Sequence, residues 1–238
     1  IGVQTPVLDP SRTKIAYTVA SQSAAKNGIY ILDTTVRPIL TLQSSSNQII
    51  NDTINAFSKA KLQWSPDGSE LLASIPGVLS TTTYLLKTNG FNQSPQDVTE
   101  TMESVNAAWD KQKTDKEKSL TDGLPKPLKA IVLSGFRVIE WSPDETKILY
   151  IASISAELPL IITPRLIGTD STPEVRNIRK GSLYAYDIKE DRNYKIADSL
   201  PNSDNLNLYS SSPILWFPDS KHLIYNHNNK IDIMEYDA

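Results

Sequence analysis

The sequence predicts an all-β chain, a β-propeller made of four-stranded antiparallel blades with one helical insertion in the second blade. Two observations predict the blades: a Trp-x-Pro-Asp motif recurs along the chain, and a short run rich in Ile, Leu and Tyr follows each copy. A third predicts the insertion, a segment whose apolar residues return at helical spacing.

The motif is Trp64-Ser65-Pro66-Asp67-Gly68, then Trp141-Ser142-Pro143-Asp144, then Trp216-Phe217-Pro218-Asp219. Aligning on the proline brings out a weaker copy at Leu8-Asp9-Pro10-Ser11. There Leu8 stands for Trp and Ser11 for Asp, while Thr13, Lys14, Ile15 and Tyr17 match Thr146, Lys147, Ile148 and Tyr150. Self-similarity at a fixed interval is the mark of a repeat architecture, in which each unit needs a neighbour to complete its core.

The residue types suit a turn. Proline presets φ for the first central position, Asp accepts hydrogen bonds from nearby backbone amides, and Gly68 supplies the positive φ a short hairpin needs. The preceding Trp ends the inner strand and offers a broad apolar face to a neighbouring sheet. The downstream runs at 28–33, 83–87, 182–187 and 230–237 alternate partly, as half-buried strands do. A fourth run follows at 39–42 and at 194–197. Strand, turn, strand, loop, strand, turn, strand is the order of a blade.

The copies are spaced wider than the ~40–50 residues of an ordinary blade, so loops have grown. Units are expected at about 1–57, 58–133, 134–208 and 209–238 of a single region covering 1–238. In the second, Ser94-Pro95-Gln96-Asp97 reads as a helix start, and Val98, Met102, Val105 and Trp109 share one face. A helix is expected over about 95–119, ended by Gly123-Leu124-Pro125-Lys126-Pro127. The third unit carries a long Pro-interrupted loop at 156–180.

Composition removes several function classes. A net charge of −3 gives no electrostatic reason to expect nucleic acid. The absence of cysteine excludes disulfides and thiolate metal sites. No apolar run reaches the ~18 residues of a membrane span. The chain opens on Ile1 with no leader, so a fragment of a longer protein is expected, with room for an anchor in the missing N-terminal part. The ring is expected to be incomplete, the last unit stopping after its third strand.

These motifs resemble the TolB-type, WD-like propeller repeat, whose signature is WSPDG followed by an Ile-Ala-Tyr strand. The resemblance touches all four units. The segments 181–193 and 216–225 more narrowly resemble propeller regions of bacterial envelope proteins that follow a membrane anchor and a PEGA domain. The resemblance implies fold more than function, because such propellers serve as interaction scaffolds, as substrate gates of prolyl peptidases and occasionally as enzymes.

The repeated Trp64, Trp141, Trp216, Asp67, Asp144 and Asp219, with Pro66, Pro143, Pro218 and Gly68, read as turn architecture, since an active site is needed only once. His222 and His227 are the two histidines, and on one strand their odd separation sends them to opposite faces, giving no metal or general-base pair. No Gly-x-Ser-x-Gly elbow, Gly-x-Gly-x-x-Gly loop or Walker loop is present. Glu190-Asp191 reads as a solvated turn. Arg165, Arg176 and Arg179 in the long loop, and Trp109 on the insert, are the candidate partner-binding residues.

The expectation is therefore a noncatalytic scaffold of an extracytoplasmic, cell-envelope or periplasmic bacterial protein. It would bind a protein or glycan and use no cofactor, metal or nucleic acid. The alternative is the substrate-gating propeller of a prolyl oligopeptidase-type serine peptidase whose catalytic domain lies outside the chain.

Overall fold

A computed structural model describes residues 2–21, 23–35, 46–165, 172–199, 214–227 and 230–237, and the chain divides into two compact units, Ile1–Lys116 and Glu117–Ala238. In the first unit, β1 (Gly2–Leu8), β2 (Lys14–Ala20), β3 (Gly28–Asp33) and β4 (Ser46–Asn51) form one antiparallel sheet in that order. A 3₁₀ turn at Phe57–Lys59 leads to a second sheet of β5 (Lys61–Trp64), β6 (Glu70–Pro76), β7 (Thr81–Lys87) and β8 (Gln96–Asp97).

The two sheets share one core. Ala16, Ile29 and Ile31 from the first meet Trp64, Leu71, Ala73 and Leu86 from the second, with Phe57 among them. Alternation along β3 places Ile29 and Ile31 inward and Tyr30 outward, where it stacks on Tyr17. Each fully buried Ile, Leu or Phe contributes up to about 1.5–3 kcal/mol. Gly28 lets β3 approach β4 closely, at φ 132°, because a Cβ there would lie 2.1 Å from the Ile50 carbonyl oxygen.

The second unit contains β9 (Phe136–Trp141), β10 (Lys147–Ala152), β11 (Ala156–Glu157), β12 (Asn177–Ile178), β13 (Leu183–Asp187) and β14 (Arg192–Ala197). It ends with β15 (Ile214–Trp216), β16 (His222–His227) and β17 (Lys230–Glu235). One sheet runs β14-β13-β10-β9, another β15-β16-β17, and β11 pairs with β12 as a separate ribbon. Strand β10, Lys-Ile-Leu-Tyr-Ile-Ala, is buried along its whole length, as a central strand covered on both faces must be. Leu149, Ile151, Leu183 and Ala185 pack against Ile214, Trp216 and Leu223 of the last sheet and Tyr236 just beyond it.

Among the described residues two α-helices occur where one insertion was expected: α1 (Met102–Asp122) and α2 (Lys126–Gly135). The segment 94–97, read from sequence as a helix start, instead supplies β8, with Leu85 opposite Gln96 and Tyr84 opposite Asp97. The Asp97 carboxylate accepts from the Thr99 amide and hydroxyl, closing a turn that delays the helix to Met102. The Pro-Lys-Pro segment does lie beyond the end of α1, but Pro127 also sits at the first turn of α2, where a missing N–H costs nothing. Leu128 and Val132 of α2 join Phe136, Ile148, Tyr150 and Tyr184 in one cluster. The remaining strand expectations agree within a residue or two, except the run at 39–42, which lies outside the described residues, and the fourth strand of the first sheet is formed by Ser46–Asn51. The last sheet has three strands among the described residues.

Candidate functional site

The repeated turns are built alike. In the second copy, Ser65 Oγ donates to Asp67 Oδ1 at 2.6 Å and accepts from the Glu70 amide at 2.9 Å. Asp67 Oδ1 also accepts from the Ser69 amide at 3.0 Å. In the third copy, Ser142 Oγ donates to Asp144 at 2.6 Å and accepts from the Lys147 amide at 2.9 Å, while Thr146 donates twice to Asp144. In the fourth, Phe217 replaces the serine, and Asp219 Oδ1 takes the Lys221 and His222 amides.

The first copy is not a degraded turn. Asp9 occupies the serine position and Ser11 the aspartate position, so the pair is exchanged. Asp9 Oδ1 accepts from the Lys14 amide at 2.7 Å, the bond Ser65 and Ser142 make elsewhere, and Ser11 donates its hydroxyl to Asp9 Oδ2. The residue after the second member of the pair has left-handed φ in all four turns: Arg12 at 59°, Gly68 at 70°, Glu145 at 60° and Ser220 at 58°. Adjacent turns also touch, since the Asp144 amide donates to Ser220 Oγ at 3.0 Å.

Electrostatics follow from these bonds. The Ser65 hydroxyl, with help from Ser69 and Gln112, holds the Asp67 carboxyl well below the ordinary carboxylate range. Burial alone would raise Asp144, but bonds from Ser142 and Thr146 and the Lys147 charge outweigh it, leaving its pKa at about 2. Proline occupies the turn at Pro66, Pro143 and Pro218, and the tryptophans end their strands. Trp64 Nε1 donates to the Val7 carbonyl of β1 at 3.0 Å, and Trp216 is fully buried. Trp141 is half-buried in the cluster that includes Phe136 and Tyr150.

The unrepeated candidates are distributed differently. Trp109 of α1 is 7% exposed and packs with Leu72 and Val98, its indole N–H reaching Glu70 Oε2 at 3.4 Å. Gln112, one turn on, donates to Asp67 Oδ2 at 3.0 Å and so ties α1 to the second turn motif. Arg176 is also turned inward. Its guanidinium donates to the Pro159 carbonyl at 2.8 Å, pairs with Asp191 Oδ1 at 3.0 Å and lies 3.3 Å from Glu174. Arg165 pairs with the other oxygen of Glu174 and stays partly exposed, while Arg179 is exposed.

Asp191, expected to be solvated, is 3% exposed. Its Oδ2 accepts from the Ile161 and Ile162 amides at 2.7 and 2.9 Å, and its Oδ1 from the Tyr186 hydroxyl. Burial opposes its charge, yet these bonds and Arg176 keep its carboxyl below the usual range. Asn193, fully buried, accepts from the Tyr150 hydroxyl and donates to the Val175 carbonyl. These two residues staple the long loop to β14. A second buried group joins Lys147, Asp187 and Tyr236: the Tyr236 hydroxyl donates to Asp187 Oδ2 at 2.9 Å, and Lys147 Nζ lies 3.8 Å from that oxygen. Sequence spacing gave no signal for either network.

His222 Nδ1 lies 2.6 Å from Asp219 Oδ2 at the surface, a turn contact, and its partner histidine in sequence, His227, ends the same strand. Among the described residues no group of three or more His, Cys, Asp or Glu is arranged to hold a metal, and no helix is long and apolar enough to cross a membrane.

No family model matches the chain, and no curated protein matches it. Among solved structures it is similar to TolB from Acinetobacter baumannii, at 14% identity and TM-score 0.26, covering 100% of this chain and 42% of that one. It is similar to the β-propeller domain of the Trilobed protease from Pyrococcus furiosus, at 10% identity and TM-score 0.26, covering 99% and 57%. Similarity to an acylaminoacyl peptidase from Pyrococcus horikoshii is at 13% identity and TM-score 0.25, covering 99% and 32%. The chain thus spans less than two thirds of each of these longer chains.

Proposed function

We propose that the chain is a run of TolB-type β-propeller blades acting as a noncatalytic binding scaffold of an extracytoplasmic bacterial protein, at the cell envelope or in the periplasm. The observation that carries the reading is the use of the repeated polar residues. Asp67, Asp144 and Asp219, and Asp9 in exchanged form, all direct their carboxylates into the backbone of their own turns. A carboxylate held there by several donors is a poor base, and its position repeats where a reaction centre would not. Recognition then falls to the unrepeated loops, as is usual on a rigid β scaffold. The motif resemblance supports the envelope setting, and the partner is a protein or a glycan.

The test is a paired assay on the full chain. Peptide and ester substrates of the serine-peptidase class are expected to show no turnover, while arrays of envelope glycans and peptides show saturable binding. Turnover that a single substitution abolishes would overturn the scaffold reading. Fractionation of cells producing the whole protein is expected to recover it outside the cytoplasm.

A further inference from the structure

A cleft of about 370 Å³ opens in the first unit where the end of β3, strand β4 and the loop after β7 come together. Its lining includes Lys14, Asp33, Asn47, Asn89, Gly90 and Phe91. Apart from Lys14, whose amide closes the first turn, none of these takes part in the repeated motif, and the cleft lies within a single unit of the chain.

The loop wall is rigid for a reason visible in one side chain. Asn92 Nδ2 donates to the carbonyls of Ile49, Lys87 and Gly90 at 3.1, 2.9 and 3.2 Å, and its Oδ1 accepts from the Lys87 amide at 2.8 Å. Its backbone amide adds a bond to Ile49 at 2.7 Å, so the loop is fastened to β4. A wall held this way loses little freedom when a ligand arrives. Asp33 is positioned in turn by the amide and hydroxyl of Thr35.

The lining has a particular chemistry. Phe91 is 49% exposed, presenting a ring to solvent at the edge of a cleft whose lining mixes polar and apolar groups. Around it, among the described residues, are an ammonium that only donates, a carboxylate that only accepts, the amides of Asn47, Gln48 and Asn89 that do both, and the apolar Ile31 and Ile49. A lining that mixes amides with Ile31, Ile49 and Phe91 favours neither a phosphate nor a wholly apolar ligand. A pyranose ring has the complementary surface: an apolar C–H face that can lie on an aromatic ring, rimmed by hydroxyls that both donate and accept. The volume sits at the lower end of the ~300–1,000 Å³ of small-molecule sites, enough for one or two sugar units.

We propose that this cleft binds a pyranose unit of a glycan, with Phe91 covering the ring face and Lys14, Asn47 and Asn89 reading the hydroxyls. The inference rests on the binding-module reading and deepens it by naming a ligand class and a site.

Gly90 provides a clean test. Its φ is not left-handed and a Cβ there meets nothing within 4 Å, so Gly90→Leu adds bulk at the cleft wall without backbone strain. The full chain is screened on an oligosaccharide array that includes chitotriose, cellotriose and maltotriose, and hits are titrated calorimetrically. At least one glycan is expected to bind, Phe91→Ala to weaken it about tenfold, and Gly90→Leu to abolish it, with thermal midpoints unchanged. Absence of any array binding, or binding that survives both substitutions, would overturn the proposal. Peptide binding that persists in that case keeps the scaffold reading while removing the sugar site, and peptide turnover removes the scaffold reading itself.

Discussion

The Ser11 hydroxyl donates to the Asp9 carboxylate, and the two residues hold in exchanged order the positions that Asp67 and Ser65 hold in the next turn. In both orders one side chain closes the turn by accepting the amide five residues ahead, from Lys14 in one case and Glu70 in the other. What recurs in three of the four turns is therefore a hydrogen-bonding pair across a proline, in either order, while Asp219 closes the fourth without a partner at Phe217.

Gly28 is the most intolerant glycine among the described residues. Alanine there would place Cβ 2.1 Å from the Ile50 carbonyl oxygen at a φ of 132°. Gly28→Ala is expected to cost more than about 2 kcal/mol in urea unfolding. Gly90→Ala, with open space around it, should stay within about 0.5 kcal/mol of the parent.

Glu145 holds a φ of 60°, a left-handed conformation that Gly68 occupies without strain in the equivalent turn. Glu145→Gly is expected to raise stability by roughly 0.5–1 kcal/mol, seen as a higher urea midpoint at unchanged slope. A loss of stability would mean that the glutamate side chain contributes more than the strain it imposes.

The Tyr236 hydroxyl is a buried donor to a buried carboxylate. Tyr236→Phe keeps the ring 5.1 Å from Lys147 Nζ and removes only the bond to Asp187. The expected loss is about 1.5–3 kcal/mol, the range for a hydrogen bond to a charged group. Asp187→Asn in the same background should then cost less than it does alone, because the two residues are coupled.

Acid should weaken the fold through the turn carboxylates. The Asp144 pKa is about 2 in the folded chain, below its unfolded value near 3.9. Its contribution is therefore present above about pH 4 and is lost as pH falls from 4 toward 2. Because the group is largely solvent-facing, that contribution is about 1 kcal/mol or less after screening. Urea midpoints measured between pH 6 and pH 2, with the ~1 kcal/mol loss flattened in Asp144→Asn, check the sign and the assignment.

Much of the fold is legible in the residues themselves. The run Gly28–Asp33 is β3 end to end, and the turn motif marks the hairpin between the first two strands, in chain order, of each of the four larger sheets. Strand β8 was not legible, because two residues cannot display alternation. Helix α2 was hidden by Pro127, since the same residue can close one helix or open another, and only the apolar spacing of Leu128 and Val132 separates the cases. The burial of Asp191 was illegible for a different reason. Its partners Arg176, Ile162 and Ile161 lie 15, 29 and 30 residues upstream, and no local pattern announces a contact at that range. The cleft beside Phe91 escaped notice likewise, as its lining comes from three strands and a loop.

The central claim is that the repeated motif is a turn-building pair and carries no chemistry of its own. Exchanging the pair in the second turn tests it most directly, with Ser65→Asp, Asp67→Ser and the double variant compared in urea unfolding. Each single change should cost about 1–2 kcal/mol, one by crowding two carboxylates and the other by removing the acceptor. The double variant, which restores the order of Asp9 and Ser11, should recover at least about 1 kcal/mol of the summed loss. A double variant as unstable as the two singles added together would contradict the account.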